Sequence, residues 1–289
     1  MSVVRIGSDE RELRIGAGQP LAVIGGPCVL EGEALCREVG ERLREACAAL
    51  GFGYVFKTSF DKANRSSLDS ARGPGLDEGL ATLVRLRDSL GVAVTSDVHA
   101  PEQAGAAAEV LDVLQIPAFL CRQTDLLVAC GRAAGERERS VNIKKGQFLA
   151  PAEMAGPVRK VRAAGCSEVI ATERGTFFGY HRLVNDFIGL GDLLELDVDG
   201  GLVPVCFDAT HSAQLPGAGA DGGRIVTAGR RDRVELLARS AVAAGVHAVF
   251  LEVHPDPDRA MSDASTMLPL ERAPVLLEQL ARIRDAVGV

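Results

Sequence analysis

The feature that most constrains the fold of this chain is an alternation of short apolar runs with longer amphipathic segments. Segments with helical periodicity separate the runs, the clearest at residues 33–50, 77–90, 152–164, 231–244 and 270–287. The runs have the length and composition of buried strands. There are eight of them, at residues 21–25, 54–58, 93–97, 113–117, 141–144, 168–172, 204–209 and 248–253. Eight strand–helix units in 289 residues predict an α/β protein with a (β/α)8 TIM barrel.

The chain has no Pro- or Ser-rich linker, so we expect residues 1–289 to form a single TIM-barrel domain. Two short extended pieces, 3–6 and 12–15, precede the first strand. We expect them to pair as a short N-terminal β-hairpin, within residues 1–18, that caps the barrel. The segment 217–231 is rich in glycine, which favours a mobile lid over the site.

The net charge of −7 argues against a nucleic-acid or membrane-surface role, because those partners attract basic proteins. No apolar run reaches the ~18 residues of a membrane span, and residues 1–16 contain no apolar signal core. The seven cysteines are odd in number and form no CxxC pair, so they predict neither a disulfide framework nor a zinc ribbon. We therefore expect a cytoplasmic protein with reduced thiols.

Polar residues cluster where the predicted strands end, which is where a TIM barrel carries its active site. The most concentrated stretch is 56–67, which packs three cations and several hydroxyls into a segment without an apolar stripe. A solvated surface loop is the alternative interpretation. Cations from other units should converge at the same mouth; the full set is Lys57, Lys62, Arg65, Arg122, Lys144, Lys145 and Arg174. Such a site favours a substrate with two phosphates, or with a phosphate and a carboxylate.

A second group of residues has the donor types of a metal site. Cys28, His211 and Glu252 follow the first, seventh and eighth strands, which are neighbours once a barrel closes, and Asp263 lies in the next loop. Each has an ordinary interpretation alone, as a buried thiol, a loop histidine, a salt-bridged carboxylate or a turn aspartate. Together, their sulfur, nitrogen and oxygen donors suit a divalent transition ion such as zinc, iron or manganese.

Several motifs of the chain are specific enough to compare with known families. They are Gly26-Pro27-Cys28-Val29-Leu30-Glu31, the stretch from Lys57 to Ser67, Arg72-Gly73-Pro74-Gly75, Thr95-Ser96-Asp97-Val98-His99, Gln115-Ile116-Pro117-Ala118-Phe119-Leu120, Arg122-Gln123-Thr124-Asp125-Leu126, Asn142-Ile143-Lys144-Lys145-Gly146-Gln147-Phe148 and His254-Pro255-Asp256-Pro257. Together these motifs closely resemble the 3-deoxy-D-manno-octulosonate 8-phosphate synthase family, and the resemblance covers roughly residues 20 to 280.

The resemblance implies a TIM barrel with an N-terminal hairpin, usually assembled as a homotetramer. It implies condensation of phosphoenolpyruvate with D-arabinose 5-phosphate and water, giving 3-deoxy-D-manno-octulosonate 8-phosphate and phosphate for lipopolysaccharide biosynthesis. Cys28 stands where metal-independent members carry Asn, and Ser262-Asp263-Ala264 resembles the loop of the metal-dependent branch. The implied ligands are Cys28, His211, Glu252 and Asp263, holding one divalent ion: zinc, iron, manganese or cobalt.

The family pattern also implies roles for the polar residues. Phosphoenolpyruvate would be bound by Lys57, Ser59, Lys62, Ala118, Arg122, Lys144 and Arg174. Asn64, Arg65 and Ser66 resemble the site for the pentose phosphate, and Asp97 and Gln115 line the same cavity. The catalytic candidates among these and the metal ligands are Lys57, Lys62, Asp97, Lys144 and His211.

Three alternatives remain open at this stage. The sister enzyme 3-deoxy-D-arabino-heptulosonate 7-phosphate synthase uses erythrose 4-phosphate, and it typically has Lys-Pro-Arg-Thr-Ser where this chain has Lys62-Ala63-Asn64-Arg65-Ser66. A Schiff-base aldolase would use Lys57 or Lys144 as its nucleophile. A barrel that binds sugar phosphates without catalysis would bind phosphoenolpyruvate but release no phosphate.

Overall fold

The computed structural model describes residues 3–8, 11–63, 72–221 and 224–288. The strands within these ranges are β1 (Val3–Ile6), β2 (Leu13–Gly16), β3 (Ala22–Gly26), β4 (Gly53–Lys57), β5 (Ala93–Asp97), β6 (Val113–Ile116), β7 (Ser140–Lys144), β8 (Val169–Glu173), β9 (Val205–Asp208), β10 (Gln214–Asp221), β11 (Arg224–Gly229), β12 (Ala248–His254) and β13 (Leu268–Pro269). The helices are α1 (Glu33–Ala49), α2 (Leu76–Leu90), α3 (Ala104–Val110), α4 (Thr124–Glu136), α5 (Ala155–Ala163), α6 (Phe187–Leu194), α7 (Arg231–Ala243) and α8 (Arg272–Val287).

Strands β3 to β9 and β12 form a closed parallel barrel. Neighbouring strands pair in chain order, and β12 closes the ring by pairing with both β9 and β3. Ala248 stands at this closure, since it lies opposite Cys206 on one side and Ala22 on the other. The predicted (β/α)8 fold is confirmed, and the predicted bounds of the eight strands agree with the observed ones to within one residue.

The two faces of the barrel strands bury different partners. Outward side chains such as Val23, Phe56 and Val94 join the core between the strands and the helices. Inward side chains in the first half of the strands are apolar or small and form a separate core inside the barrel, together with Val4, Ile6 and Ile15 of the hairpin. The inward positions nearer the carboxyl ends are polar, which places the site at that end.

The N-terminal hairpin closes the end of the barrel where the strands begin. Its strands β1 and β2 are antiparallel, with Val3 opposite Gly16 and Ile6 opposite Leu13. The Arg5 amide donates to the Glu168 carboxylate at 2.6 Å, and the Ser140 hydroxyl donates to the Arg5 carbonyl at 2.7 Å. The expected hairpin is therefore present, and its apolar side chains cover the lower barrel.

The glycine-rich segment that we expected to act as a lid forms part of two paired strands. Strands β10 and β11 form an antiparallel ribbon with an irregularity between Leu215 and Gly219; residues 222–223 lie outside the described ranges. The sixth unit is less regular, with an irregular segment before α6, whose first turn is capped by the Asp186 carboxylate accepting from Ile188 N at 3.0 Å. In the described ranges, no helix is long and apolar enough to cross a membrane.

Candidate active site

Three of the four predicted metal ligands meet at the carboxyl end of the barrel. The Cys28 sulfur and one carboxylate oxygen each of Glu252 and Asp263 all lie within 4.8 Å of one another. Cys28 and Glu252 are completely buried, and Glu252 Oε2 has no hydrogen-bond partner among the described atoms. A buried acceptor without a donor is costly unless a ligand satisfies it. The donor set therefore fits a divalent transition ion.

The fourth predicted ligand, His211, lies beside this trio in a short 3-10 turn after β9. Its backbone amide donates to Asp208 Oδ1 at 2.9 Å, and its Nδ1 lies 2.8 Å from Asp208 Oδ2. A carboxylate only accepts hydrogen bonds, so Nδ1 carries a proton, and in the neutral ring Nε2 is the nitrogen that has a lone pair to offer a metal. That Nε2 lies 3.7 Å from Glu252 Oε2, where it could complete the ligand set.

The local backbone explains how these ligands come together. Gly26 ends β3 so close to β4 that a Cβ there would stand 2.0 Å from the Lys57 carbonyl oxygen. Cys28 follows directly, and its thiol donates to Asp263 Oδ2 at 3.0 Å. Burial, followed by the charge of Glu252, raises the pKa of this thiol well above its usual value. Asp263 has a positive φ of 51° in its loop, and Gln214 Nε2 donates to its Oδ1 at 2.9 Å.

Glu31 ties together the two loops that carry Cys28 and Asp263. Its Oε1 accepts from the Met261 amide at 3.0 Å, and its Oε2 lies 3.4 Å from His254 Nε2 at the end of β12. Sequence reasoning did not select Glu31, although it closes the motif that begins at Gly26. Its position, as a charged residue three positions after the cysteine, is the sequence feature that could have identified it.

The predicted lysines are buried, and each lies against a carboxylate. Lys57 Nζ lies 2.6 Å from Glu252 Oε1 and 2.9 Å from the Cys28 carbonyl oxygen. Lys62 Nζ lies 3.8 Å from Asp97 Oδ2 and 3.9 Å from Glu252 Oε1. Burial alone would lower the pKa of Lys62, but Cys28 and the carboxylates around it, led by Glu252, raise it above its usual value. Lys62 is therefore a fixed positive charge at the mouth.

Lys144 and Arg174 place two more cations in the same region. Lys144 Nζ lies 2.7 Å from Asp208 Oδ2 and 3.7 Å from the centre of the Phe250 ring. Arg174 Nη2 donates to Gln214 Oε1 at 2.6 Å, and its Nη1 is buried without a hydrogen-bond partner among the described atoms. Burial lowers the pKa of Arg174. A buried guanidinium with a free donor is suited to a phosphate or carboxylate.

Ser59, Asp97 and Gln115 form the polar floor between these cations. The Ser59 hydroxyl donates to Asp97 Oδ2 at 2.5 Å, and Gln115 Nε2 donates to Asp97 Oδ1 at 2.7 Å. Burial alone would raise the pKa of Asp97, but Lys57, Lys62 and Lys144 hold it well below its usual range. Asp97 is thus an ionised carboxylate in a cluster of cations.

The remaining predicted residues are placed as follows. Ala118 is buried and begins a 3-10 turn after β6, and Arg122 is exposed just beyond that turn. Asn64, Arg65 and Ser66 lie outside the described residues.

Lys145 differs from the expectation that it faces the mouth. Its ammonium donates to the Leu149 carbonyl at 3.1 Å and lies 3.3 Å from Glu173 Oε2. Because Lys144 points inward, its neighbour Lys145 points to the other side of the strand. Glu173 in turn accepts from the amides of Arg174 and Gly175, at 2.8 and 2.6 Å, so the pair anchors the loop that begins with Arg174.

Comparison with known proteins identifies relatives over nearly the whole chain. The family model described as the DAHP synthetase I family matches residues 4–287. A protein of Desulfotalea psychrophila named 2-dehydro-3-deoxyphosphooctonate aldolase is 50% identical over 276 residues, which is 96% of this chain and 94% of the relative. Proteins of the same name from Methylobacterium radiotolerans and a Cyanothece species are 52% and 48% identical, and each match covers 96% of this chain and 93% and 97% of the relative.

Identity of about one half over nearly the full length of several relatives is sufficient to assign the family. The chain belongs to the DAHP synthetase I family, in the group whose curated members are named 2-dehydro-3-deoxyphosphooctonate aldolase.

Proposed function

We propose that this enzyme condenses phosphoenolpyruvate with D-arabinose 5-phosphate and water to give 3-deoxy-D-manno-octulosonate 8-phosphate and phosphate, for lipopolysaccharide biosynthesis. One observation carries the proposal. Three buried cations, Lys62, Lys144 and Arg174, and the group of Cys28, Glu252 and Asp263 share one barrel mouth. The curated relatives bear the name of this activity.

Binding and orientation of two anions are the first task of such a site. Lys62 and Arg174 would bind the charged groups of phosphoenolpyruvate, and the free Nη1 of Arg174 supplies an unused donor. Fixed cations offset the repulsion between two phosphorylated substrates and hold them in an attack geometry. Carbon three of phosphoenolpyruvate then attacks the aldehyde, and water adds at carbon two, where positive charge develops.

The carboxylates at the mouth limit where the negative substrates bind. Lys57 and Lys144 are neutralised by Glu252 and Asp208, at 2.6 and 2.7 Å, so their net field is smaller than that of Lys62 or Arg174. Both amines already contact buried carboxylates, whereas a Schiff-base lysine must present its nitrogen to a carbonyl carbon. This geometry favours the condensation over the Schiff-base alternative.

One divalent ion, held by Cys28, His211, Glu252 and Asp263, is part of the proposal; zinc, iron, manganese and cobalt all suit these donors. When bound, it would supply Lewis acidity for a water or for the aldehyde oxygen. The residues themselves fix its place. Asp208 orients His211, Gln214 orients Asp263, and Lys57 holds Glu252 Oε1, which leaves Oε2 free.

We further propose a homotetramer in the cytoplasm. Large apolar side chains are exposed in the segment before α6 and in its first turn, with Phe178 99%, Tyr180 91% and Ile188 81% exposed. Aromatic patches of this kind support contact with another copy of the chain. All seven cysteines are free thiols, which supports a reducing compartment. Light scattering of the purified protein measures the assembly: a monomer at micromolar concentration contradicts the tetramer.

A phosphate-release assay tests the function directly. Phosphoenolpyruvate is supplied with arabinose 5-phosphate or with erythrose 4-phosphate, before and after chelation and add-back of single divalent ions. We expect release with arabinose 5-phosphate and its loss on chelation. Preference for erythrose 4-phosphate would assign the sister activity, binding of phosphoenolpyruvate without release would assign a non-catalytic barrel, and full activity without metal would refute the metal proposal.

A further inference from the structure

A chain of side-chain hydrogen bonds crosses the inside of the barrel and ends on Asp97. The Thr172 hydroxyl of β8 donates to Asn142 Oδ1 at 2.6 Å. Asn142 Nδ2 of β7 donates to Gln115 Oε1 at 3.0 Å, and Gln115 Nε2 of β6 donates to Asp97 Oδ1 at 2.7 Å. Thr172, Asn142 and Gln115 are completely buried. The bonds therefore link four neighbouring strands, and in each bond the donor points toward Asp97.

The direction of the chain follows from its two ends. An ionised Asp97 can only accept, so Gln115 must present its amino group to it. The Gln115 carbonyl then needs a donor, which Asn142 supplies, and the Asn142 carbonyl accepts from Thr172. Each bond aligns its neighbour, and the donors all point toward the carboxylate.

Asp97 is suited to the aldose rather than to phosphoenolpyruvate. A carboxylate repels the phosphate and carboxylate of phosphoenolpyruvate, whereas the hydroxyls of an aldose can donate to it. Asp97 Oδ1 is occupied by Gln115 and Oδ2 by Ser59, so the remaining lone pairs have a fixed direction. Lys62, 3.8 Å away, begins the stretch that leads to Asn64, Arg65 and Ser66.

We propose that Asn142 and Thr172 are positioning residues that act through Gln115 to fix the Asp97 carboxylate for the aldose. The proposal rests on the proposed function and adds two residues without substrate contact. Without the Thr172 hydroxyl, Asn142 loses the contact that selects its amide orientation. Asn142 is then free to turn its carbonyl toward the Gln115 carbonyl, so Gln115 loses its donor and no longer holds the Asp97 carboxylate in one orientation.

The test is Thr172→Val, which keeps the shape and removes the donor. We expect kcat/KM for the aldose to fall about tenfold, the effect of one buried hydrogen bond. The dissociation constant of phosphoenolpyruvate, measured by calorimetry, should change less than twofold. Thr172→Ser should restore kcat/KM, because it returns the hydroxyl.

A matched control is Thr95→Val. Thr95 is a buried threonine on β5 whose hydroxyl donates to the Val113 carbonyl at 2.8 Å. This hydrogen bond is not part of the series that ends on Asp97. It should lower stability as Thr172→Val does but leave kcat/KM for the aldose within about twofold. Equal losses of kcat/KM in the two variants, or no loss in Thr172→Val, would overturn the proposal.

A double-mutant cycle with Asp97→Asn separates this proposal from the proposed function. Thr172 and Asp97 stand three strands apart, so independent effects on the urea midpoint would add. We expect the decrease in urea midpoint caused by Thr172→Val to be smaller in the Asp97→Asn background. The reason is that an amide at position 97 no longer fixes the direction of the hydrogen bonds that run from Thr172. Additive shifts overturn the proposal. If the wild type releases no phosphate with any aldose phosphate, the proposed function fails. The double-mutant cycle then tests by itself whether Thr172 is coupled to Asp97.

Discussion

Lys57 Nζ and Glu252 Oε1 lie 2.6 Å apart, and both side chains are completely buried. They lie on β4 and β12, which stand on either side of β3 in the barrel, yet are separated by 195 positions in the sequence. The pair holds one oxygen of Glu252 and leaves the other free, so the lysine fixes the orientation of a proposed metal ligand.

Replacement of Lys57 by Met should destabilise the protein strongly. It leaves the Glu252 charge buried without its closest counterion, which typically costs about 3–5 kcal/mol. Urea unfolding in the presence of a chelator measures this. Arg37→Gln, which removes a surface ion pair with Glu33 on α1, is the control and should be close to neutral. Equal effects of the two changes would contradict the role of the buried pair.

Replacement of Cys28 by Asn should remove most of the metal affinity and leave some turnover. The amide keeps the approximate size of the thiol but is a poor ligand for a transition ion. Metal content after dialysis, measured by atomic emission, and steady-state rates together check this. Cys130→Ala, which removes a buried thiol of α4, should keep its metal. Unchanged metal affinity in Cys28→Asn would refute the ligand assignment.

Replacement of Glu31 by Ala should weaken metal binding about 10- to 100-fold, the usual effect of losing a residue that orients ligands. The Met261 amide loses its acceptor, and the loop that carries Asp263 loses its tie to the loop that carries Cys28. Competition with a coloured chelator gives the affinity. Glu33→Ala, two positions away on α1, should have no effect on it. Equal affinities in Glu31→Ala and the wild type would show that the tie does not position the ligands.

Stability should fall with acid partly through His247. Burial, with a smaller effect of Arg284, lowers the pKa of His247, whose Nδ1 accepts from the Val205 amide at 3.0 Å. As the pH falls below about 6.5, the unfolded chain takes up a proton that the folded protein does not, so the free energy of unfolding decreases by at most about 1.4 kcal/mol per pH unit.

His247→Asn keeps an acceptor for Val205 but does not titrate. Between pH 7 and pH 5 its unfolding free energy should decrease less than that of the wild type, as measured by urea titrations at several pH values. His99 is, like His247, a half-buried histidine whose pKa is lowered, and it contributes equally to both proteins. Parallel pH profiles would exclude His247 as a source of the acid sensitivity.

The barrel could be predicted from the sequence because each strand and each helix is indicated by the residues of its own segment. A buried strand is marked by its own residues, and the rule that function lies at the strand ends brought Cys28, His211 and Glu252 into one group, with Asp263 from the next loop, before any contact was known. The glycine content of 217–231 did not indicate the ribbon, because the pairing of β10 with β11 uses backbone groups that every residue has.

The partners of the charged residues could not be predicted from the sequence. Lys144 and Lys145 are adjacent and chemically identical, yet one contacts Asp208 and the other Glu173. Strand alternation distinguishes the two sides, but the choice of carboxylate depends on atoms that lie far apart in the chain. The same is true of Glu31 and of the chain from Thr172 to Asp97, where every contact spans at least 18 positions.

The hairpin and the apolar inner layer above it determine by which end substrates and products can reach the site. Val4, Ile6 and Ile15 pack against Ile24, Phe250 and the other inward side chains of the lower barrel. In the described part of the chain, apolar side chains therefore fill this end of the barrel and leave no passage through it. Both substrates must therefore enter, and both products leave, through the same opening. A molecule that binds deeper in this opening must therefore enter before, and leave after, one that binds above it.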